Sequence, residues 1–344
     1  MSTIRSYFDA ALKAGASDLH LVAGAKPMLR INGKLQELAQ KELPPKELQS
    51  AIEGMLSSEQ KEKYHSTHEL DMSYDQDGTR FRVNVHSQEG QIGLAARVIP
   101  AIIPTPEELR FEPVMLELPN RLDGLVLVVG PTGHGKSTTI ASMVNEINKT
   151  RRAHIVTIED PVEFVFTPEQ ALIEQREIGE DTESFAAALK HVLRQDPDVI
   201  LVGEMRDPET ISTVLTAAET GHLVFSTLHT STAAEAVERI VDVFDGSKQK
   251  QILIQLGAVL RAVIAQQLVP AEDGGRVAAR EILINNPAVA NLIKENNIGQ
   301  IVSAIQTGGK EGMISMDNSL KALHKDGLIS KETMERRSGR TRNI

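Results

Sequence analysis

The chain runs to 344 residues with a formal charge of −10, and it contains neither cysteine nor tryptophan. Its length points to two domains, because single hydrophobic cores stop growing at about 250–300 residues. The missing cysteine excludes disulfides, thiolate zinc sites and cysteine nucleophiles, while the acidic balance and 3% aromatic content argue against general nucleic-acid binding.

Met1–Ala10 lacks the basic start and apolar stretch of a secretory leader. The longest apolar runs, such as Leu125–Val129, are too short to cross a bilayer, so a cytoplasmic location is expected. The first hundred residues read as a small α+β domain. The spacing predicts a helix over Ser6–Ala14, strands over Leu19–Val22 and Met28–Ile31 with a turn at Asn32-Gly33, and a helix over Lys46–Leu56. Strands follow at Met72–Tyr74, Arg80–His86 and Gly93–Ile99. Five prolines between Pro100 and Pro119 then predict a linker, since proline fixes φ and removes a donor. The expected organisation is a domain over 1–100, a linker over 101–117 and a second domain over 118–344.

From Arg121 short apolar runs alternate with helical segments. The runs are Leu125–Val129, Ile155–Ile158, Val199–Val202 and Leu223–Ser226; the helices are Thr138–Asn148, Ser184–Arg194 and Glu209–Glu219. In the second helix Phe185, Leu189 and Val192 share a face. This alternation predicts an α/β domain with a parallel sheet covered on both sides. Gln249–Leu268 reads as a long helix and Val277–Ile284 as a strand.

Gly130–Thr138 (GPTGHGKST) satisfies G-x-x-x-x-G-K-[ST], with a strand entering it and a helix leaving it. Such a loop turns its backbone N–H groups inward onto phosphate oxygens, and the helix adds the positive end of its dipole. The candidate nucleotide-binding residues are Gly130, Thr132, Gly133, His134, Gly135, Lys136, Ser137 and Thr138. Lys136 reaches the β- and γ-phosphates of ATP, and the Ser137 hydroxyl binds Mg²⁺. The His134 side chain is expected to face outward without a role of its own.

Ligands of open α/β sheets sit beyond the carboxyl ends of the strands. There the chain places Glu159, Asp160 and Glu163, then Glu204, then His229. Glu204 suits the metal shell. Glu159, Asp160 and Glu163 compete for the base, and spacing does not choose among them. His222 opens the strand that His229 closes, roughly 20 Å away at ~3.3 Å per residue, so it reads as an interface or strand-entry residue.

The chain resembles the type IV pilus retraction ATPases, the twitching-motility family of the secretion ATPase superfamily. The resemblance rests on Gly15–Leu21 (GASDLHL), Phe81–Asn84 (FRVN), the phosphate loop, Thr157–Glu163 (TIEDPVE), Asp196–Asp207 (DPDVILVGEMRD), Ala217–Thr230 (AAETGHLVFSTLHT) and Ala304–Gly309 (AIQTGG). It implies a PAS-like first domain, a RecA-like P-loop ATPase domain, and a homohexameric motor hinged at the proline segment. It implies Glu163 as catalytic base, Glu204 as the acid shared with Mg²⁺, His222 and His229 as a histidine pair, and Arg82 and Arg97 as phosphate-contacting arginines. It further implies an inner-membrane pilus platform protein as partner and peripheral association with that membrane, with no nucleic acid.

One departure stands in Ala288–Ile293, where Ala290 replaces an arginine of the family's AIRNLI segment, which is associated with retraction. A pilus-extension or type II secretion ATPase is the alternative within the superfamily. Such relatives usually carry a further N-terminal domain and often a four-cysteine zinc site, whereas this chain reaches Gly15 at once and has no cysteine. A non-hydrolysing regulatory subunit would not need Lys136, Ser137, Glu163 and Glu204 together, and a DNA motor would need a basic channel. Arg336, Arg337, Arg340 and Arg342 read as a frayed, solvated tail, with contact to an acidic partner or the inner-membrane surface as the alternative.

Overall fold

The computed structural model describes residues 4–338 apart from positions 32, 40, 100 and 101. Asn32 of the expected turn, Pro100 of the expected linker, and Arg340 and Arg342 of the tail lie outside the described residues. The chain divides into two compact units, with the first boundary between Ile102 and Ile103.

The first unit contains α1 (Ile4–Lys13), β1 (Asp18–Val22), β2 (Met28–Ile31), β3 (Lys34–Glu37), α2 (Pro45–Glu53), α3 (Ser58–Thr67), β4 (Glu69–Gln76), β5 (Thr79–Gln88) and β6 (Gln91–Val98). Among the described residues its strands form one antiparallel sheet in the order β3-β2-β1-β6-β5-β4. Period-two alternation buries Phe81, Val83 and Val85 of β5 in a core that also holds Phe8 of α1 and Ile52 of α2. Each such side chain contributes about 1.5–3 kcal/mol. The same alternation leaves Arg82 exposed between Phe81 and Val83.

Two elements here escape the sequence reading. Strand β3 is exposed along its whole length, so no apolar alternation marks it. Helix α3 buries only Tyr64 and has almost no apolar face; its signal is the capping box in which Ser57 and Gln60 exchange side-chain and backbone bonds.

The second unit contains α4 (Pro113–Glu117), β7 (Gly124–Val129), α5 (Lys136–Thr150), β8 (His154–Glu159), β9 (Leu172–Glu177), α6 (Phe185–Val192), β10 (Val199–Val202), α7 (Pro208–Glu219) and β11 (Leu223–Leu228). It continues with α8 (Ala233–Asp242), α9 (Gly246–Val259), β12 (Leu260–Pro270), β13 (Arg276–Ile284), α10 (Pro287–Lys294), α11 (Ile301–Thr307), α12 (Met316–Lys325) and α13 (Lys331–Ser338). The sheet order is β13-β12-β7-β11-β10-β8-β9, parallel from β12 to β9, with β13 antiparallel at one edge. Strands β7, β10 and β11 are buried at every position, as central parallel strands must be.

The long helix expected over Gln249–Leu268 is corrected. It stops at Val259, and the apolar run after it becomes β12, because those residues find a parallel partner in β7. A tertiary partner outweighs helix periodicity there. Strand β9 was missed because it is a half-exposed edge rich in charge. The proline segment is packed from Ile103 onward into the second unit: Met115 and Leu118 are buried, and Arg151 Nη1 donates to the Pro119 carbonyl at 2.8 Å. Arg336 and Arg337 are not frayed. They lie on α13, where Arg336 pairs with Glu332 at 3.6 Å. Ala290 is half-buried on α10.

Candidate nucleotide site

Strand β7 ends at Val129, and the chain turns at once into the loop that precedes α5. Gly130 has φ +144, and a Cβ there would lie 2.3 Å from the Gln266 carbonyl oxygen, so only glycine fits. Gly135 caps α5 with φ +78. Lys136, Ser137 and Thr138 form the first turn of α5, where backbone N–H groups have no intrahelical acceptor. Lys136 is buried, and its Nζ donates to the carbonyls of Gly130 at 2.9 Å and Pro131 at 3.2 Å, so the ammonium lies across the loop's own mouth.

Neighbouring strand tips supply the acids and histidine. Glu204 follows β10 and His229 follows β11, adjacent parallel strands. His229 Nε2 lies 3.2 Å from Glu204 Oε2, and its Nδ1 lies 3.5 Å from Thr132 Oγ1. One ring thus spans from the phosphate loop to a carboxylate that is only 12% exposed. Arg206 Nη2 takes the other Glu204 oxygen at 2.5 Å. Asp207, also in the family-like run, is an N-cap: it accepts from Thr210 N at 2.9 Å and Thr210 Oγ1 at 2.7 Å. Those bonds outweigh burial and hold its carboxyl below the usual aspartate value.

The acidic stretch after β8 is held by residues that the sequence reading did not single out. Glu159 is buried and accepts from Thr157 Oγ1 at 2.7 Å. Glu177, at the end of β9, accepts the N–H of Val162 at 3.1 Å, the residue before Glu163. Asn148, at the end of α5, donates to the Thr167 carbonyl and accepts the N–H of Glu169, so the phosphate-loop helix pins the return of this stretch. Spacing alone gives no signal for Glu177 or Asn148.

His134 is corrected. Its side chain faces inward, and Nδ1 accepts the Leu268 N–H at 3.0 Å. A backbone donor of β12 needs an acceptor there, and the imidazole supplies it. Burial, then the charges of Arg337, Arg276 and Lys136, hold its pKa below the ordinary value.

His222 lies at the opposite end of β11 from His229, with Nδ1 2.9 Å from the Ala217 carbonyl. Arg82 and Arg97 face each other across β5 and β6 in the first unit, and Arg97 Nε donates to Asp18 at 2.9 Å. Burial opposes ionisation of Asp18, but the bonds from Ser17 and Arg97 hold its carboxyl below the usual value.

The family described as "Type II/IV secretion system protein" matches residues 1–325. This chain belongs to that family. Within it, the chain is 47% identical over 321 residues to the "Type IV pilus retractation ATPase PilT" of Pseudomonas aeruginosa, covering 93% of each. It is 48% identical over 319 residues to a "Twitching motility protein" of Neisseria gonorrhoeae, covering 92% of this chain and 85% of that one. The structure described as "Crystal Structure of the Pilus Retraction Motor PilT and Bound ADP" superposes with a TM-score of 0.91 at 46% identity, covering 97% of this chain and 96% of that one. The type II/IV secretion system fold is therefore that of a P-loop ATPase domain preceded by a small α+β domain. Among the described residues no helix is long and apolar enough to cross a membrane.

Proposed function

We propose that this chain is an ATPase motor subunit that hydrolyses ATP with Mg²⁺ to power type IV pilus retraction. The path Thr132–His229–Glu204 carries the reading, because it ties the phosphate loop to a carboxylate on the neighbouring strand tip. Similarity to the Pseudomonas and Neisseria proteins supports the choice of retraction.

In this reading the triphosphate sits on the amides of Gly130–Thr138. Lys136 exchanges its loop carbonyls for the β- and γ-phosphates, which cost it less desolvation than a free ammonium would pay. The Ser137 hydroxyl and Glu204 would hold Mg²⁺ through the hard oxygens it prefers, and the ion would supply charge neutralisation at the phosphates. Glu163 orients and deprotonates water, its backbone steadied by the bond between Glu177 and Val162. His229 holds Glu204 and senses the loop through Thr132. Arg82 and Arg97 are retained as phosphate-contacting arginines on the family resemblance, and His222 as an interface residue because it lies at the far end of β11 from His229. The assembly is a homohexamer docked on an inner-membrane platform protein on the cytoplasmic side.

Deleting the gene in the source cell and imaging its pili tests the direction of the motor. Excess, immobile surface pili are expected. Bald cells would instead assign the chain to pilus assembly.

A further inference from the structure

Gln266 and Arg280 are cross-strand partners in the β12–β13 ladder, and they are 2% and 1% exposed. A buried amide and a buried guanidinium are costly unless every polar atom is matched. Here the partners lie at two distinct places. Gln266 Nε2 donates to the His134 carbonyl at 2.8 Å, inside the phosphate loop. Its Oε1 accepts from Thr139 Oγ1 at 2.8 Å and from Arg280 Nε at 2.9 Å. Two donors converging on one amide atom fix that atom as oxygen, so the side chain has one orientation. Arg280 then donates to the Leu109 carbonyl at 2.9 Å, the Arg110 carbonyl at 3.0 Å and Glu112 at 3.1 Å, with Phe111 stacked 5.4 Å from the guanidinium.

We propose that Gln266 and Arg280 are positioning residues that aim the phosphate loop and carry its nucleotide state to the segment 105–112, through which the chain enters the second unit. The inference rests on nucleotide binding at Gly130–Thr138. Its physical basis is the planar peptide between His134 and Gly135: the carbonyl and the Gly135 N–H point in opposite directions. Holding the carbonyl on Gln266 therefore aims the N–H the other way, and any turn of that N–H toward phosphate is felt at Gln266. The start of the loop lies directly against the glutamine's own backbone: a Cβ on Gly130 would lie 2.3 Å from the Gln266 carbonyl oxygen.

The far end is built to respond. Arg110 has φ +51, and Leu109, Arg110 and Phe111 donate back to Thr105, Glu107 and Pro106 in a tight turn. A non-glycine residue in that conformation persists only where its surroundings over-determine it. The Leu109 and Arg110 carbonyls that Arg280 holds are part of that determination. Loosening the Gln266–Arg280 bond frees them.

The test is amide hydrogen exchange of the full-length chain with and without saturating ADP, together with the ADP Kd and the kcat for ATP. In the wild type, ADP is expected to slow exchange at Leu109–Phe111 by about fivefold or more. Gln266→Glu keeps an acceptor for Arg280 and Thr139 but turns oxygen toward the His134 carbonyl. It should still bind ADP, lose the slowing at 109–111 and show a lowered kcat. Arg280→Lys loses the Nε bond to Gln266 and the fork onto 109–112 but leaves the Gln266–His134 bond in place, so ADP affinity should hold while the slowing disappears. If Gln266→Glu does not fold, Gln266→Met removes the His134 bond together with those from Thr139 and Arg280 at similar volume. Undiminished slowing in any variant that binds ADP overturns the relay, as does a wild type that binds ADP without change at 109–111. A wild type that fails to bind ADP at all sinks the nucleotide-site reading instead.

Discussion

His229 stands between Thr132 and Glu204, with Nδ1 3.5 Å from the threonine hydroxyl and Nε2 3.2 Å from the carboxylate. The ring is half exposed while Glu204 is 12% exposed, so the histidine orients a carboxylate that has little room of its own. Groups that hold a metal-bound carboxylate in place typically matter tenfold to a hundredfold.

His229→Ala is accordingly expected to lower kcat about tenfold to a hundredfold, with ADP affinity nearly unchanged and the Mg²⁺ requirement raised. Steady-state ATPase assays across an Mg²⁺ titration measure it. A wild-type Mg²⁺ profile in the variant would remove His229 from the site.

Gly130→Ala is expected to lose nucleotide binding and to destabilise the fold by about 1–3 kcal/mol, because the residue cannot adopt φ +144 unstrained and its Cβ would meet the Gln266 carbonyl. Thermal unfolding and ADP titration of one preparation check both halves. A variant with wild-type melting temperature and affinity would contradict the cradle geometry.

The His134 ring gives a pH dependence with a definite sign. Burial, with nearby Arg337, Arg276 and Lys136, holds its pKa below the ordinary 6.5, and its Nδ1 must stay unprotonated to accept from Leu268. The unfolded chain therefore binds more protons in the window below 6.5, and stability falls as the pH drops through it. Stability from this group is fully present above that window. His20 is lowered by burial in the same direction but is common to any His134 variant. His134→Asn should therefore show a smaller loss of melting temperature than the wild type between about pH 7.5 and pH 5.5. Equal losses would refute the role given to the ring.

Much of the site is legible in the sequence because its parts are local. The loop from Gly130 to Thr138 carries its own spacing, and Glu204 and His229 lie just past apolar runs whose alternation with helices reads as a parallel sheet. What stays hidden is set by partners distant in sequence. Gln266 and Arg280 sit in a strand pair that begins inside a stretch with helical spacing, and their partners in the phosphate loop and in 109–112 lie more than a hundred residues away. Glu177 reaches Val162 from an edge strand whose charges mask its period. The inward His134 depends on a Leu268 donor that exists only once β12 has formed.

The most direct test of a triphosphate seated on the Gly130–Thr138 loop is Mg²⁺-dependent ATP hydrolysis by the purified chain, measured beside Lys136→Ala and Glu163→Gln. Steady turnover is expected from the wild type, loss of nucleotide binding from Lys136→Ala, and retained ATP binding with turnover at least about a hundredfold slower from Glu163→Gln. Equal hydrolysis by all three proteins would contradict the account.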